Sequence, residues 1–308
     1  MHLPPKRLFR LCIFVCLCIY LSHSWTTAIL SEVLPEVPPE VIPEVPTRGG
    51  FLERAIVTGS SSNHFHVLCL FLQDYHNKRQ KIPLFTYDLG LTETQVAIVR
   101  ADYPWTTLRT FNFSNFPVHV NIEVSVGEYA WKPIIIKEML DSTTSAVLWL
   151  DSGNHIASAD TLDNTFSQIE RFGHVTTVTS GTTQKWVHPA TLAFLHEPNL
   201  DIDMSNGAIV GFNMQAYEGV VRPWAECAQV RECIAPPGSS RVNHRQDQAV
   251  LTVLLYKTGR SFHTTSGMWI SNMLCDRAIL CTPGCMGIAI QRDENTLFNW
   301  VKIKLNGG

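Results

Sequence analysis

Asp151 ends a run of strand-forming apolar residues, positions 146–150, and is followed by Ser152 and Gly153. In alternating α/β proteins ligands sit at the C-terminal edge of the sheet, so an acid delivered there is well placed for chemistry. A hard carboxylate at that edge can hold Mg2+ or Mn2+ against a diphosphate and neutralise charge as a leaving group departs; the plainer role is to cap the turn. Lys132, just before Pro133, can reach the same edge and pair with a phosphate, or remain a solvated surface cation. "HRQDQAVL" (244–251) gathers His244, Arg245 and Asp247 at the start of a buried helix. The helix N-terminus favours anions and would keep Asp247 ionised, which suits a residue that orients or deprotonates a hydroxyl, although Asp is also an ordinary first-turn residue. His244 offers a ring nitrogen to a metal or a phosphate.

Two small-residue stretches join these. "TGSSSN" (58–63) follows the first predicted strand, and its Thr58 and Gly59 would let a nucleotide base or ribose approach the backbone. It lacks both G-x-G-x-x-G and the P-loop lysine, which argues against a dinucleotide or NTPase site. "SNGAIVGF" (205–212) places Asn206 and Gly207 ahead of another apolar strand, where a glycine permits close approach to a sugar or simply makes a turn.

The elements that must position these residues alternate. "RAIVTG" reads as a strand ending at Gly59, "NHFHVLCLFLQDYHNKRQ" as an amphipathic helix, "IPLFTYDLG" as a strand, "TETQVAIVRA" as a helix with a Thr cap and "LRTFNF" as a third strand. "EYAWKPIIIKEMLDS" is a helix with Pro133 in its first turn, leading into the strand that ends at Asp151. Beyond it come a helix at "LDNTFSQIERFG", strands at "HVTTVTS" and "GAIVGFN", a helix around "VVRPWAECAQV", the loop "IAPPGSSRVN" and a helix at "HRQDQAVLTVLLYKTG". The last fifty residues give weak signals, consistent with irregular, disulfide-supported structure. Repeated strand-helix-strand order predicts an α/β fold: a mostly parallel, Rossmann-like sheet with helices on both faces, in a single domain.

The 308 residues, 45% of them hydrophobic, suffice for a substantial core, and a net charge of -3 without single-sign blocks gives no reason to expect nucleic acid as a partner. Lys6, Arg7 and Arg10 precede an apolar run from Leu11 to Leu21, the order of a secretory signal. That run is short against the roughly 20 residues of a membrane span, so two outcomes stand: a type II anchor extending toward Leu30, or cleavage near Ser22–Ala28. Residues 32–46 repeat a Glu-Val-Pro theme, which reads as an extended stem. The expected organisation is therefore a tip and signal segment at 1–30, a Pro-rich stem at 31–50 and a folded domain at 51–308. Cys12, Cys16 and Cys18 lie in the signal segment. Cys69, Cys227, Cys233, Cys275, Cys281 and Cys285 would face an oxidising lumen, where disulfides are the default; Cys69, in an apolar helical pattern, reads as a buried free thiol. Asn112-Phe113-Ser114 is a glycosylation acceptor triplet.

"GEYAWKPIIIKEML", "AVLWLDSG", "SNGAIVGF" and "HRQDQAVL", in this order behind an anchor and stem, resemble GT-A-type nucleotide-sugar glycosyltransferases, in particular an uncharacterised group of animal Golgi-type glycosyltransferase-like proteins. The resemblance covers roughly residues 54–260. It implies a GT-A-like fold and transfer of a hexose-type sugar from a nucleotide diphosphate donor to a glycan or glycoprotein hydroxyl. It also implies a Golgi membrane protein with a lumenal domain, or a secreted one after cleavage. In such enzymes the strand-end acid opens an Asp-x-Asp motif for Mn2+ or Mg2+; here the triplet is Asp151-Ser152-Gly153 and the second acid is absent. The candidate donor contacts are Thr58, Gly59, Lys132, Asp151 and Ser152, and the candidate metal ligands Asp151 and His244; of these the resemblance itself implies Lys132 at the donor and Asp151 at the metal and diphosphate. Asn206 and Gly207 would lie beside sugar or acceptor, and Asp247 would act on the acceptor. The alternatives are a catalytically inactive glycan-binding protein of the same fold and, with no G-x-S-x-G elbow, a less favoured serine hydrolase.

Overall fold

The computed structural model describes residues 47–48, 51–78, 81–260 and 268–270. The signal segment, nearly all of the stem and Cys275, Cys281 and Cys285 fall outside the described residues. Among the described residues no helix is long and apolar enough to cross a membrane.

Alternating side chains build the sheet. In β1 (Ala55–Ser60) Val57 faces one layer and Ile56 the other; in β4 (Ala146–Leu150) Val147 and Trp149 oppose Leu148 and Leu150. All five β4 residues are buried, as a strand covered on both faces requires. With β2 (Leu84–Asp88), β3 (Thr106–Thr110), β5 (His174–Thr182) and β6 (Asp203–Asn213) they form a six-stranded sheet in the order β3-β2-β1-β4-β6-β5. β1 runs parallel to β2 and β4, and β2 to β3; β6 runs antiparallel to β4 and β5. The predicted α/β class and mostly parallel sheet are found, with one reversed strand.

Helices cover both faces. α1 (Phe65–Asn77), α2 (Glu93–Asp102) and α4 (Ala159–Phe172) pack on the Ile56 side through Leu68, Val99 and Phe166. α3 (Trp131–Ser142), α5 (Arg222–Ala228) and α6 (Gln246–Lys257) pack on the Trp149 side through Ile135, Trp224 and Leu251. The Thr cap of α2 is present as a full capping box: the Thr92 hydroxyl accepts from Gln95 N–H at 3.2 Å and the Gln95 side chain accepts from Thr92 N–H at 2.9 Å.

Two expectations need correction, and one unassigned segment gains an element. "LRTFNF" is strand only to Thr110, because the exposed Asn112 turns its Oδ1 onto the Ser114 N–H at 3.1 Å and the chain enters a tight helical turn. Residues 154–156, which carry no sequence assignment, form a short strand antiparallel to residues 268–270. Cys69 is disulfide-bonded rather than a free thiol. Cys227 and Cys233 also pair, with Cα atoms 5.4 Å apart.

The capping box gives a stability prediction. Thr92→Ala should lower the unfolding free energy by about 1 kcal/mol in urea titrations, and Thr92→Ser, which keeps the hydroxyl, should restore most of it.

Candidate functional site

Three chain segments converge at the C-terminal edge of the parallel strands. α3 carries Lys132 in its first turn, where Pro133 is tolerated because first-turn N–H groups have no helical acceptor. β4 delivers Asp151 one residue past its end, and α6 carries Asp247 in its first turn. The Lys132 ammonium lies 3.1 Å from Asp151 Oδ1, 3.1 Å from Asp247 Oδ2 and 2.9 Å from the Gly207 carbonyl oxygen, to which it donates. Asp247 Oδ2 is thus ion-paired but lacks a well-aligned hydrogen-bond donor. Trp149, two residues before Asp151 and so on the same side of the strand, donates its indole N–H to Asp151 Oδ1 at 2.6 Å. The two acids differ in access: the Asp151 side chain is 40% exposed and that of Asp247 7%.

The electrostatics follow from one cation shared between two anions. Burial disfavours the charged lysine, but Asp151 and Asp247 outweigh it and hold the ammonium protonated well above its ordinary range. For Asp247 burial dominates and pushes the carboxyl up, with Asp151 adding to the push and Lys132 opposing it. The helix N-terminus therefore does not keep Asp247 as firmly ionised as its position alone predicts.

The Gly207 carbonyl reaches the ammonium because β6 bulges. Thr176 pairs with Val210, yet the next pair is Val178 with Ser205, so the chain around Asn206–Ala208 leaves the regular ladder. Asn206 Oδ1 accepts from Ala208 N–H at 2.8 Å, and Ala208 O accepts from Asp151 N–H at 2.9 Å. A Cβ on Gly207 would stand 3.3 Å from Gln248 Cβ and 3.4 Å from Asp247 Oδ2, so the glycine admits the α6 side chains.

The approach to Lys132 is strained. Ser125, Val126, Gly127, Glu128 and Tyr129 all have φ between 48° and 63°, a left-handed turn directly before α3. Each non-glycine residue in it costs on the order of 1–2 kcal/mol. Surrounding contacts impose it: Trp131 Nε1 donates to Val126 O at 3.2 Å, Gln246 Nε2 to Glu128 Oε2 at 3.2 Å, and Arg241 to the Tyr129 hydroxyl at 2.6 Å. The Tyr129 phenol is pushed up, first by burial, with Arg241 opposing and Asp247 raising it further, which puts it within electrostatic reach of the acids.

The structure thus brings together Lys132, Asp151, Asp247, Gly207 and Asn206, with Ser152 half-buried in the adjoining turn. Three predicted residues, Thr58, Gly59 and His244, are not in the site as expected. Thr58 lies inside β1, fully buried on the face opposite Trp149, so it cannot touch a donor. Gly59 is also inside β1; a Cβ there would stand 3.1 Å from Trp149 Cη2, so its part is to seat that indole.

His244 is a structural residue. Its Nδ1 accepts from His188 N–H at 3.0 Å and its Nε2 donates to Ile234 O at 2.8 Å, leaving no ring nitrogen for a metal; burial, its main influence, lowers its pKa to about 4. At Asp151 the Oδ1 oxygen is taken by Lys132 and Trp149, which leaves only Oδ2 open to a metal or ligand. Among the described residues no three His, Cys, Asp or Glu side chains cluster as metal ligands. Sequence reasoning missed Trp149, Gln248 and Tyr129. For Trp149 the two-residue spacing to Asp151 was the available signal.

No protein-family model and no curated protein sequence matches the chain. Among solved structures, it is similar to the galactosyltransferase LgtC in complex with donor and acceptor sugar analogs, with a TM-score of 0.46 and 13% identity over 77% of this chain and 95% of that one. It is similar to an LgtC active-site mutant, with a TM-score of 0.44 and 17% identity over 65% and 69% of the two chains. A third likeness is to mouse xyloside xylosyltransferase 1 in its apo form, with a TM-score of 0.42 and 12% identity over 69% and 84%. Likeness of this depth assigns neither family nor activity.

The geometry yields two stability predictions. Lys132→Met leaves two carboxylates facing each other, one of them buried, and should cost about 3–5 kcal/mol in urea unfolding; adding Asp247→Asn should recover part of it. His244 is held neutral when folded and charges at its ordinary 6.5 when unfolded, so its contribution is present above pH 6.5 and lost as pH falls toward 4. Wild-type should lose about 3 kcal/mol more than His244→Gln between pH 7 and pH 4.

Proposed function

We propose that this protein transfers a sugar from a nucleotide diphosphate donor to a hydroxyl of a glycan or glycoprotein. The observation that carries the reading is the convergence of Lys132, Asp151 and Asp247 at the C-terminal edge of a parallel sheet, with one acid open to solvent and the other closed. The motifs that hold these residues are those whose order resembles GT-A-type enzymes. Exposure reverses the roles given to the two acids by that resemblance. Asp151 presents its free carboxylate oxygen to a sugar or to the acceptor hydroxyl, whereas Asp247 positions Lys132.

Transfer breaks the bond between the anomeric carbon and the diphosphate oxygen and forms one to the acceptor oxygen, whose proton must go to a base; Asp151 is the accessible one. The diphosphate charge falls to Arg241 and Arg245, which stack on Tyr129 and Trp186 with guanidinium-to-ring distances of 5.4 and 4.0 Å. Neither is ion-paired among the described residues, so both are available to an anion. Residence in the secretory pathway, as a Golgi-anchored or secreted protein, is part of the proposal; it is supported by the N-terminal signal pattern and by the Cys227–Cys233 disulfide.

Incubating the full chain with a panel of nucleotide sugars tests the reading by donor hydrolysis and by donor-induced rise in melting temperature. One donor should do both. Asp151→Asn should abolish hydrolysis, and Arg241→Ala with Arg245→Ala should weaken donor binding about tenfold or more. Binding of glycans with no response to any nucleotide sugar would instead favour an inactive glycan-binding protein.

A further inference from the structure

Lys132 Nζ has three oxygens within 3.1 Å. Asp151 Oδ1, Asp247 Oδ2 and Gly207 O converge on it from the end of β4, the first turn of α6 and the bulge of β6. Two carboxylate oxygens and a backbone carbonyl are the hard donors that Mg2+ or Mn2+ would select. The chain has built an oxygen cage suited to a small cation and filled it with its own ammonium.

A divalent ion cannot join that arrangement. An ion taking the same three oxygens would stand at contact distance from the ammonium and be repelled by it, which leaves only the outward Asp151 oxygen to such an ion. Trp149 also holds Asp151 Oδ1 from a second direction, and His244 has no free ring nitrogen. The missing second acid at Gly153 and the buried lysine are two sides of one charge balance: an Asp-x-Asp pair needs a divalent partner, while one acid from the strand and one from α6 can share a monovalent one.

We propose that Lys132 is a built-in cation in place of a divalent metal, so that the protein engages its ligand without one, and that the surrounding oxygens form a latent divalent-cation site exposed by removing the lysine side chain. For the identity of the ligand this rests on the proposed glycosyl transfer. The statement about the cage rests on the geometry alone.

Mn2+ binding to the full chain, stripped with chelator and followed by the electron paramagnetic resonance of free Mn2+, tests the cage. Wild-type should show no site that Asp151→Asn removes. Lys132→Ala should bind one Mn2+ at least about tenfold more tightly than wild-type, recover melting temperature on adding it, and lose both effects when combined with Asp151→Asn. A wild-type Mn2+ site abolished by Asp151→Asn overturns the proposal, and so does a folded Lys132→Ala protein with no gain in Mn2+ affinity. Should Lys132→Ala not fold in chelator, refolding it with and without Mn2+ decides: folding rescued by Mn2+ supports the cage, and no rescue counts against it. Nucleotide-sugar binding measured in chelator and in Mn2+ separates this inference from the functional reading. Donor binding equal within about twofold in both supports the built-in cation. Donor binding that requires Mn2+ overturns it and leaves glycosyl transfer standing. No donor binding in either condition overturns glycosyl transfer and leaves the cage to the Mn2+ result.

Discussion

One buried ammonium holds this end of the molecule together. Lys132 is the common partner of a strand end, a helix start and a strand bulge, and each is anchored elsewhere by apolar packing. Taking an ammonium and a carboxylate out of water costs several kcal/mol per ion, and the mutual attraction offsets that only when geometry and partners are complete. Here they nearly are: the lysine hydrogen-bonds the Gly207 carbonyl and ion-pairs with both acids, Asp151 gains the Trp149 indole, and Asp247 Oδ2 is ion-paired without a well-aligned donor. Such a cluster is a poor route to stability and a good one to a fixed geometry, because Lys132 and Asp247, left alone, would each be a buried charge. The three segments are therefore held in register by a shared penalty rather than by a large net gain.

The supporting structure is strained where it meets this cluster. The left-handed turn at 125–129 and the bulge at Asn206–Ala208 flank Lys132 on two sides. The turn lets α3 begin with Lys132 directed at the sheet edge, and the bulge turns the Gly207 carbonyl toward it. Hydrogen bonds from Gln246 and Arg241 tie the turn to the α6 end of the chain, so the elements bearing Lys132 and Asp247 are braced against each other by polar contacts independent of the ion pair. Strain of this kind persists only when its surroundings over-determine it.

Much of this was legible in the sequence because it rests on local rules. The all-apolar β4 run, the Thr92 cap and the first-turn positions of Pro133 and Asp247 each follow from periodicity or from the unsatisfied groups of helix ends. The convergence of Asp151 and Asp247 was also anticipated, from the order of the motifs. What was not legible depends on contacts between distant segments. Thr58 lies at the end of a predicted strand, and only the packed fold shows that its side chain is wholly buried on the face away from Trp149. His244 has the chemistry of a ligand, and only the fold brings His188 and Ile234 to its two nitrogens. Lys132 reads as a phosphate contact because no local pattern announces that an ammonium will be buried between two acids.

The difference in access between the acids has a physical origin in the elements that carry them. Asp247 sits in the first turn of a helix whose next residues, Ala249 to Leu255, are all buried, so its side chain is drawn inward with the helix. Asp151 lies beyond the last sheet residue of β4, on a turn closed by the Asn154 N–H to Asp151 O bond of 2.9 Å, so only its Oδ1 is bound by the interior. One carboxylate is thus committed to holding Lys132 and the other is shared between the interior and solvent. In a site with a single internal cation this division is forced: if both acids faced outward the ammonium would hydrate, and if both were closed no charged group of the trio would meet a ligand. The open oxygen of Asp151 is the point at which the cluster can act on anything outside it.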